Sequence, residues 1–292
     1  MKFGIMFAST GPFATAEGAA AIATNADRCG IESIWSVEHV VIPDGYQSQY
    51  PYSESGRIPG SDDADIPDPL IWLAYAAGLT KEVRLATGIL IVPQRNPVVL
   101  AKECATLDKL SNGRFELGIG VGWLEEEFTA LGLPFDDRGR RTDDYVAAMR
   151  ALWTQDKASY DGEFASFSGA IQRPQPVQAG GVPIIVGGHS KAAARRAGRL
   201  GDGFFPISAT QEELVDLLDL MKATAAEHGR DGDAIKVTVG SWSPRRDSID
   251  KVKELEDLGI DRLIVAPPTG NVAKLPEAIE QLAEKIAPVA TR

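Results

Sequence analysis

Eight short apolar or β-branched runs alternate with stretches of helical periodicity along the 292 residues of this chain. The predicted strands are Phe3–Ala8, Ser33–Val37, Arg84–Ile91, Phe115–Ile119, Pro183–Val186, Gly203–Pro206, Lys236–Val239 and Arg262–Val265. Regular strand–helix alternation is typical of a parallel sheet, and eight such units predict a (β/α)₈ TIM barrel that folds as one α/β domain, residues 1–292. A doubly wound open sheet is the alternative. It favours a GxGxxG motif after the first strand, where this chain has Ala8-Ser9-Thr10-Gly11-Pro12.

Two long segments interrupt the alternation. Residues 40–69 follow the second predicted strand and are rich in Pro, Gly, Tyr, Ser and Asp. Residues 154–181 follow the fourth predicted helix, and Ser159–Phe167 within them alternates like a small hairpin. Loops of this length in a compact domain usually carry function, and loops after barrel strands lie on the face where ligands bind. Residues 40–69 are therefore a candidate lid, and residues 154–181 are an insertion.

Charge and cysteine content exclude several classes of protein. The net charge of −11 argues against nucleic acid or an anionic membrane as partner. No apolar run reaches the roughly 20 residues of a membrane span, and the N-terminus is typical of a first strand. Cys29 and Cys104 are isolated, and the three histidines show no metal-ligand spacing. We expect a cytoplasmic protein without a metal, acting on a small molecule.

A glycine pair after the fifth predicted strand suggests an anion site. The strand stops at Gly187-Gly188-His189-Ser190, and an Ala- and Arg-rich helical pattern follows. Glycines let the backbone pass close to a ligand, and Ser190 is a favoured N-cap. Because a helix N-terminus presents free N–H groups and positive partial charge, this segment predicts a phosphate site.

The ends of the second and third strands supply candidate chemistry. Glu38-His39 follows the second strand, where a histidine in a barrel mouth can donate or accept a proton. Glu38 is equally compatible with orienting the loop or with a solvated charge. Gly88 interrupts the third strand, which predicts either a bulge beside a flat ligand or an interior position that only glycine fits.

The fourth strand ends in alternate glycines. Gly120-Val121-Gly122-Trp123 could supply backbone N–H groups to a cofactor, with Trp123 as a wall. The glutamates at 125–127 are typical of the acidic first turn of a helix. The arginines at 138, 140 and 141 could meet an anionic ligand tail, although a solvated face is the expectation for at least two of them.

Four segments together resemble the bacterial-luciferase-like superfamily: WSVEHV, ATGILIVPQRNPVVLAKECATLDKLSNGRFELGIGVGWLEEEF, RGRRTDDYVAAMRALW and PIIVGGHSKAAARRAGRLGDGF. Within it, the chain is similar to the actinobacterial coenzyme F420-dependent oxidoreductases. The resemblance covers essentially the whole chain, keeps the order of the motifs and is strongest over Arg84–Gly203.

The resemblance implies a TIM barrel that binds coenzyme F420 or FMN in its mouth, and a homodimer. Its non-prolyl cis peptide matches Gly88–Ile89. The histidine beside the reactive carbon of F420 matches His39, and its acidic neighbour matches Glu38, although aspartate is more familiar there. The phosphate-side loops match Gly120–Trp123 and Gly187–Ser190.

The implied function is hydride transfer between F420 and a small organic substrate under the lid, with His39 handling the accompanying proton. An FMN-dependent monooxygenase is one alternative, and a non-catalytic flavin- or deazaflavin-binding barrel is another. The F420-dependent sugar-phosphate dehydrogenases carry a catalytic glutamate where this chain has Trp123, which argues against sugar-phosphate oxidation.

Overall fold

Parallel strands close into a barrel in the computed structural model, which describes residues 1–58, 63–206, 210–240 and 242–291. The strands are β1 Lys2–Ile5, β2 Ser33–Ser36, β3 Arg84–Thr87, β4 Leu90–Ile91, β5 Phe115–Gly120, β6 Ala158–Asp161, β7 Ser166–Ala170, β8 Ile184–Gly187, β9 Gly203–Phe205, β10 Lys236–Val239 and β11 Arg262–Val265. The helices are α1 Ala16–Arg28, α2 Pro69–Leu79, α3 Pro97–Leu110, α4 Glu125–Ala130, α5 Arg138–Thr154, α6 Lys191–Leu200, α7 Gln211–Glu227, α8 Asp250–Asp257 and α9 Leu275–Ile286.

The order of the strands around the barrel confirms the predicted (β/α)₈ fold. Each barrel strand pairs in parallel with its neighbour in the sequence, and β11 returns to pair with β1 from Lys2↔Arg262 to Ile5↔Val265. This closure excludes the open sheet. The third barrel strand has two parts, since β3 and β4 both pair with β5 and are separated by a cis peptide bond at Gly88–Ile89. The bond predicted from the resemblance is thus present.

Local sequence explains the helices that surround the barrel. In α7, Leu214, Leu218 and Met221 recur at helical spacing and are buried against the strands. Thr210 begins that helix with a reciprocal capping box to Glu213. Most of the apolar core lies in this layer between strands and helices.

A smaller cluster fills the inside of the barrel. Trp35, Ala86, Ile185, Phe205 and Ile264 are buried there, and the partly exposed Met6 and Ile89 pack on them. At the N-terminal ends of the strands, buried ion pairs fill the interior in place of apolar side chains. Arg262 donates to both carboxylate oxygens of Glu32, at 2.8 and 2.6 Å, and to Glu116 at 2.9 Å. Arg84 adds a bond of 2.8 Å to Glu116.

Both predicted interruptions are present. Residues 40–58 run without helix or strand, residues 59–62 lie outside the described part, and α2 begins at Pro69 with Asp68 as its N-cap. In the insertion, β6 and β7 form the expected antiparallel hairpin. Asp144 of α5 anchors the turn by accepting from the Tyr160 hydroxyl at 2.7 Å and from the Phe164 and Ala165 amides.

The remaining expectations concern a membrane span, a metal site, the cysteines, the homodimer and the cellular location. Among the helices of the described residues, none combines the length and apolarity that a membrane crossing requires. Within the same residues, no group of three or more His, Cys, Asp or Glu side chains is placed to hold a metal ion. Cys104 is buried and Cys29 is partly exposed, and both are free thiols. The homodimer and the cytoplasmic location stay predictions.

Candidate active site

His39 lies at the C-terminal mouth of the barrel, three residues beyond the end of β2. Its side chain is 14% exposed, and its Nδ1 lies 3.3 Å from Oε2 of Glu127. No described residue contacts the other ring nitrogen, Nε2, with a hydrogen bond. The imidazole therefore has one nitrogen paired with a carboxylate and the other available for a ligand.

Glu127 is the main site residue that the sequence did not single out. Its side chain is 2% exposed, and its Oε1 accepts the Val40 and Val41 amides at 2.7 and 3.2 Å. Its Oε2 accepts Gln94 Nε2 at 3.1 Å in addition to facing His39. Burial alone would raise the pKa of Glu127, but the hydrogen bonds from His39 and Gln94 outweigh it and hold that pKa below its usual value. The carboxylate stays ionised against four donors.

Glu38 is buried, and its carboxylate bonds to other residues of the chain. Its side chain is 1% exposed, its Oε2 accepts the Ile91 amide at 2.6 Å, and its Oε1 pairs with Arg95. Arg95 also bonds Asp68 at 2.7 Å. Burial raises the pKa of Glu38 although Arg95 opposes it. The sequence left two alternatives for Glu38, a solvated charge or a residue that orients the loop. The geometry favours the second, because Glu38 connects the end of β2 to β4 through Ile91 and to the start of α2 through Arg95. Its expected catalytic role stays a prediction.

The Ile89 side chain packs against neighbouring glycines, which make room for it. A Cβ on Gly120 would lie 2.1 Å from Ile89 Cδ1, and one on Gly187 would lie 2.8 Å from Ile89 Cγ2. A Cβ on Gly88 would meet the Trp35 ring at 3.0 Å. Packing alone thus explains all three glycines, and the predicted part of Gly88, Ile89 and Gly120 in cofactor binding stays a prediction.

The segment after β5 forms one wall of the mouth. Gly122 has φ +84°, a conformation that favours glycine, and its carbonyl accepts Arg138 Nε at 3.1 Å. Val121 and Trp123 are partly exposed. The Trp123 ring meets His39 edge to face, with 5.9 Å between centroids. The expected cofactor role of this segment, with Trp123 as a wall, stays a prediction.

The predicted phosphate segment begins α6 as expected. Ser190 Oγ accepts the Ala193 amide at 3.1 Å, which makes it the N-cap. Gly188 has φ +115°, and its amide donates to the Phe205 carbonyl. His189 Nδ1 is buried, and no described residue bonds it. Gly187–Ser190 therefore offers a helix N-terminus and an unpaired imidazole nitrogen, the features that an anionic group would satisfy.

The lid segment, residues 40–58, joins the two halves of the site through aromatic rings. Tyr50 contacts Trp123 at 5.2 Å between centroids and Tyr52 at 5.3 Å, and Tyr52 reaches the His189 ring at 5.1 Å. The series extends from His39, beside Trp123, to His189 across the mouth. Burial raises the pKa of Tyr52 to about 12, so its hydroxyl stays protonated at neutral pH.

Glu126 fastens this lid to α4. It accepts the Gln47 amide and the Ser48 hydroxyl, each at 2.6 Å. The Ser48 hydroxyl and the Gln47 amide lower the pKa of Glu126 to about 2. The glutamates at 126 and 127 are thus more than an acidic first turn. The sequence signal that could have identified them is their place shortly after β5, a barrel strand that ends at the mouth.

A cleft of about 650 Å³ opens at the opposite, N-terminal end of the barrel. Its charged groups already pair with one another, as in Lys236–Asp261 at 3.1 Å and Lys222–Asp233 at 2.7 Å. Among its described lining residues, none carries a buried polar atom without a partner, whereas His189 at the mouth does. The mouth is therefore the candidate active site.

Known proteins are similar to this chain both in sequence and in fold. A family model described as luciferase-like monooxygenase matches residues 1–254. The uncharacterized protein Rv0953c of Mycobacterium tuberculosis is 33% identical over 271 residues, which cover 92% of this chain and 93% of that protein. The FMNH(2)-dependent dimethylsulfone monooxygenase of Pseudomonas putida is 32% identical over 177 residues, covering 60% of this chain and 48% of that enzyme.

A solved structure shows the same architecture at lower identity. The F420-dependent secondary alcohol dehydrogenase in complex with an F420-acetone adduct superposes with a TM-score of 0.77 and 20% identity, covering 99% of each chain. The chain is thus similar in sequence to an enzyme named for FMNH(2) and similar in fold to one named for F420. From its matched sequence and its closed barrel, this chain belongs to the luciferase-like monooxygenase family.

Proposed function

We propose that this protein is an oxidoreductase that transfers a hydride between coenzyme F420 and a small organic substrate in the barrel mouth. The single observation that carries the proposal is His39, whose Nδ1 faces an ionised carboxylate while Nε2 has no partner among the described residues. A histidine held in this way can move a proton to or from a substrate oxygen. A neighbour in fold is named as an F420-dependent secondary alcohol dehydrogenase, which supports this reaction class.

The residues of the mouth fit a phosphate-bearing flavin or deazaflavin. The N-terminus of α6, with its N-cap Ser190, suits a phosphate. The buried Nδ1 of His189 has no hydrogen-bond partner among the described residues, so a phosphate could bond to it without displacing another group. The partly exposed Ile89 and Met6 lie over the apolar interior cluster and offer a nonpolar surface to a flat ring. Gly120–Trp123 would line the other side.

Each part of the site then has a task. The cofactor supplies the hydride chemistry when it is bound. Gly187–Ser190 would hold its phosphate, and His39 would donate or accept the accompanying proton at Nε2. Glu38 would act as a positioning residue that keeps the end of β2 against β4 through Arg95. The aromatic lid would exclude water from the mouth.

Separate fluorescence titrations of the purified protein with F420 and with FMN test the proposal. We expect saturable binding of F420 at micromolar concentration and none of FMN in the same range. Loss of F420 absorbance on adding secondary alcohols, which serve as probe substrates, would then report turnover. Binding of FMN without F420 would contradict the proposal.

A flavin-dependent monooxygenase is the second candidate, because the similar dimethylsulfone monooxygenase is named as FMNH(2)-dependent. In that case FMN alone would bind, and the reduced, FMN-loaded protein would consume oxygen in the presence of a substrate. A barrel that only binds the cofactor would saturate with F420 or FMN and show no turnover with either. The same two titrations and assays separate all three functions.

A further inference from the structure

We infer that Glu127 is a positioning residue that fixes the proton of neutral His39 on Nδ1 and directs the Nε2 lone pair into the mouth. The inference rests on the proposed function only for what His39 does with that lone pair. The proton position itself follows from the contacts of Glu127, whether or not a cofactor is bound.

Within the described part of the chain, the Glu127 carboxylate accepts from three donors and faces His39 Nδ1 as its fourth neighbour. The Val40 and Val41 amides bond Oε1, and Gln94 Nε2 bonds Oε2 beside His39 Nδ1. An ionised carboxylate can only accept, so the imidazole nitrogen that faces it must carry a proton. Neutral His39 then has its acceptor at Nε2.

The other histidines lack this arrangement. Nδ1 of His189 is buried with no partner among the described residues, and Nδ1 of His228 faces the Thr224 carbonyl at 2.9 Å, within its own helical turn. Pairing with a buried carboxylate is the usual way in which proteins select one imidazole tautomer at a working site. Of the described histidines, His39 is the one that has such a pairing.

The bonds to Val40 and Val41 extend the role of Glu127 to the base of the lid. These residues follow His39 directly, so one carboxylate holds both the imidazole and the first peptide groups of the lid segment. A shift of the lid base would therefore change the bonds to Oε1 of the same carboxylate whose Oε2 faces His39.

Nitrogen-15 NMR of the imidazole rings tests the inference on the protein without cofactor at alkaline pH, with His39→Asn assigning the signals. We expect the wild-type His39 signals of a protonated Nδ1 and an unprotonated Nε2. Glu127→Gln would place an amide NH₂ among donors, so a mixture of both tautomers should appear. Glu127→Asp keeps the charge and should retain more of the Nδ1–H form. Glu125→Gln, the same change on an exposed side chain of the same turn, should leave the His39 signals unchanged.

Turnover separates positioning from a merely structural role. In Glu127→Gln we expect kcat to fall about 10-fold or more, while the dissociation constant of F420 changes less than about 3-fold. A wild-type His39 protonated on Nε2, or His39 signals that do not respond to Glu127→Gln, would overturn the inference. Failure to bind F420 would instead contradict the proposed function and leave the NMR result standing.

Discussion

The two ends of the barrel interior use charged and polar groups in opposite ways. At the N-terminal end, Arg262 lies between Glu32 and Glu116, and the oxygens of both carboxylates have cationic partners. At the C-terminal mouth, His39 has Nε2 without a partner in the described part of the chain, and His189 has a buried Nδ1 in the same condition. The polar groups at the N-terminal end bond to one another, whereas two imidazole nitrogens at the mouth are available to a ligand.

This difference suggests that the N-terminal end of the barrel contributes mainly to stability and that the mouth contributes mainly to the proposed function. At the N-terminal end, removal of one buried charge leaves its partner uncompensated in the interior. At the mouth, the buried Nδ1 of His189 lacks a partner among the described residues, and a bound ligand would supply the missing hydrogen bond. Substitutions at the two ends should therefore change different measurements.

The largest effect is expected at the N-terminal end, on stability. Arg262→Met leaves Glu32 and Glu116 with weaker compensation, so the free energy of unfolding should fall by about 3 kcal/mol or more. Lys236→Met is the matched control, since Lys236 pairs with Asp261 but is mostly exposed, and it should cost less than about 1 kcal/mol. Urea unfolding measures both. Equal losses in the two variants would show that the buried pairing is not special.

The next effect concerns the mouth and should spare stability. His39→Ala removes the proton-transferring group, so turnover should fall about 100-fold or more while the free energy of unfolding changes by less than about 1 kcal/mol. Steady-state kinetics with F420 and urea unfolding check the two halves of the statement. A variant with normal turnover would remove His39 from the mechanism, and a strongly unstable one would break the contrast between the two ends.

A pH series sharpens the contrast at the N-terminal end. Burial would raise the pKa of Glu116, but Arg262 and Arg84 outweigh it and hold that pKa below its usual value. Because the pKa is depressed in the folded state, the stabilisation is complete above the unfolded value of about 4.3 and is lost as pH falls through the folded value. The difference in unfolding free energy between wild type and Glu116→Gln should therefore shrink on acidification. A difference that does not change with pH would contradict the ion pairing.

The smallest effect is expected in the lid. Arg57 donates to the Tyr46 carbonyl and stacks on the Tyr46 ring, so trypsin should cut slowly after it while Glu126 holds the segment. Glu126→Ala should speed that cleavage about 10-fold, since more frequent local opening exposes the site. Glu125→Ala is the control and should cleave like wild type. Mass spectrometry of the fragments identifies the cut, and equal rates in the two variants would show that Glu126 does not hold the lid.

The barrel, the cis bond and the position of His39 were all accessible from the sequence, because each depends on local pattern or on a motif. Eight strand–helix units specify closure, and His39 lies within three residues of the end of its strand. The role of Glu127 was not accessible, because a run of glutamates at a helix start has a sufficient local explanation. Only the closed barrel brings α4 against the end of β2.

The glycines of the mouth also have contacts that the sequence alone did not predict. The pattern of Gly120 and Gly187 suggested space for a ligand, whereas in the folded chain a Cβ at either position would collide with Ile89. That contact joins three different strands, and no spacing within one of them encodes it. The sequence therefore singled out these glycines without showing that they face Ile89.

The placement of Trp123 has an optical consequence. The indole N–H groups of Trp35, Trp72, Trp153 and Trp242 each donate to a protein oxygen, and all four rings are buried. Trp123 is partly exposed at the mouth, and no described residue accepts from its indole nitrogen. Its emission should be the most red-shifted of the five, and an absorbing ligand in the barrel should quench it first. The chain thus carries its own fluorophore for following occupancy of the mouth without a label.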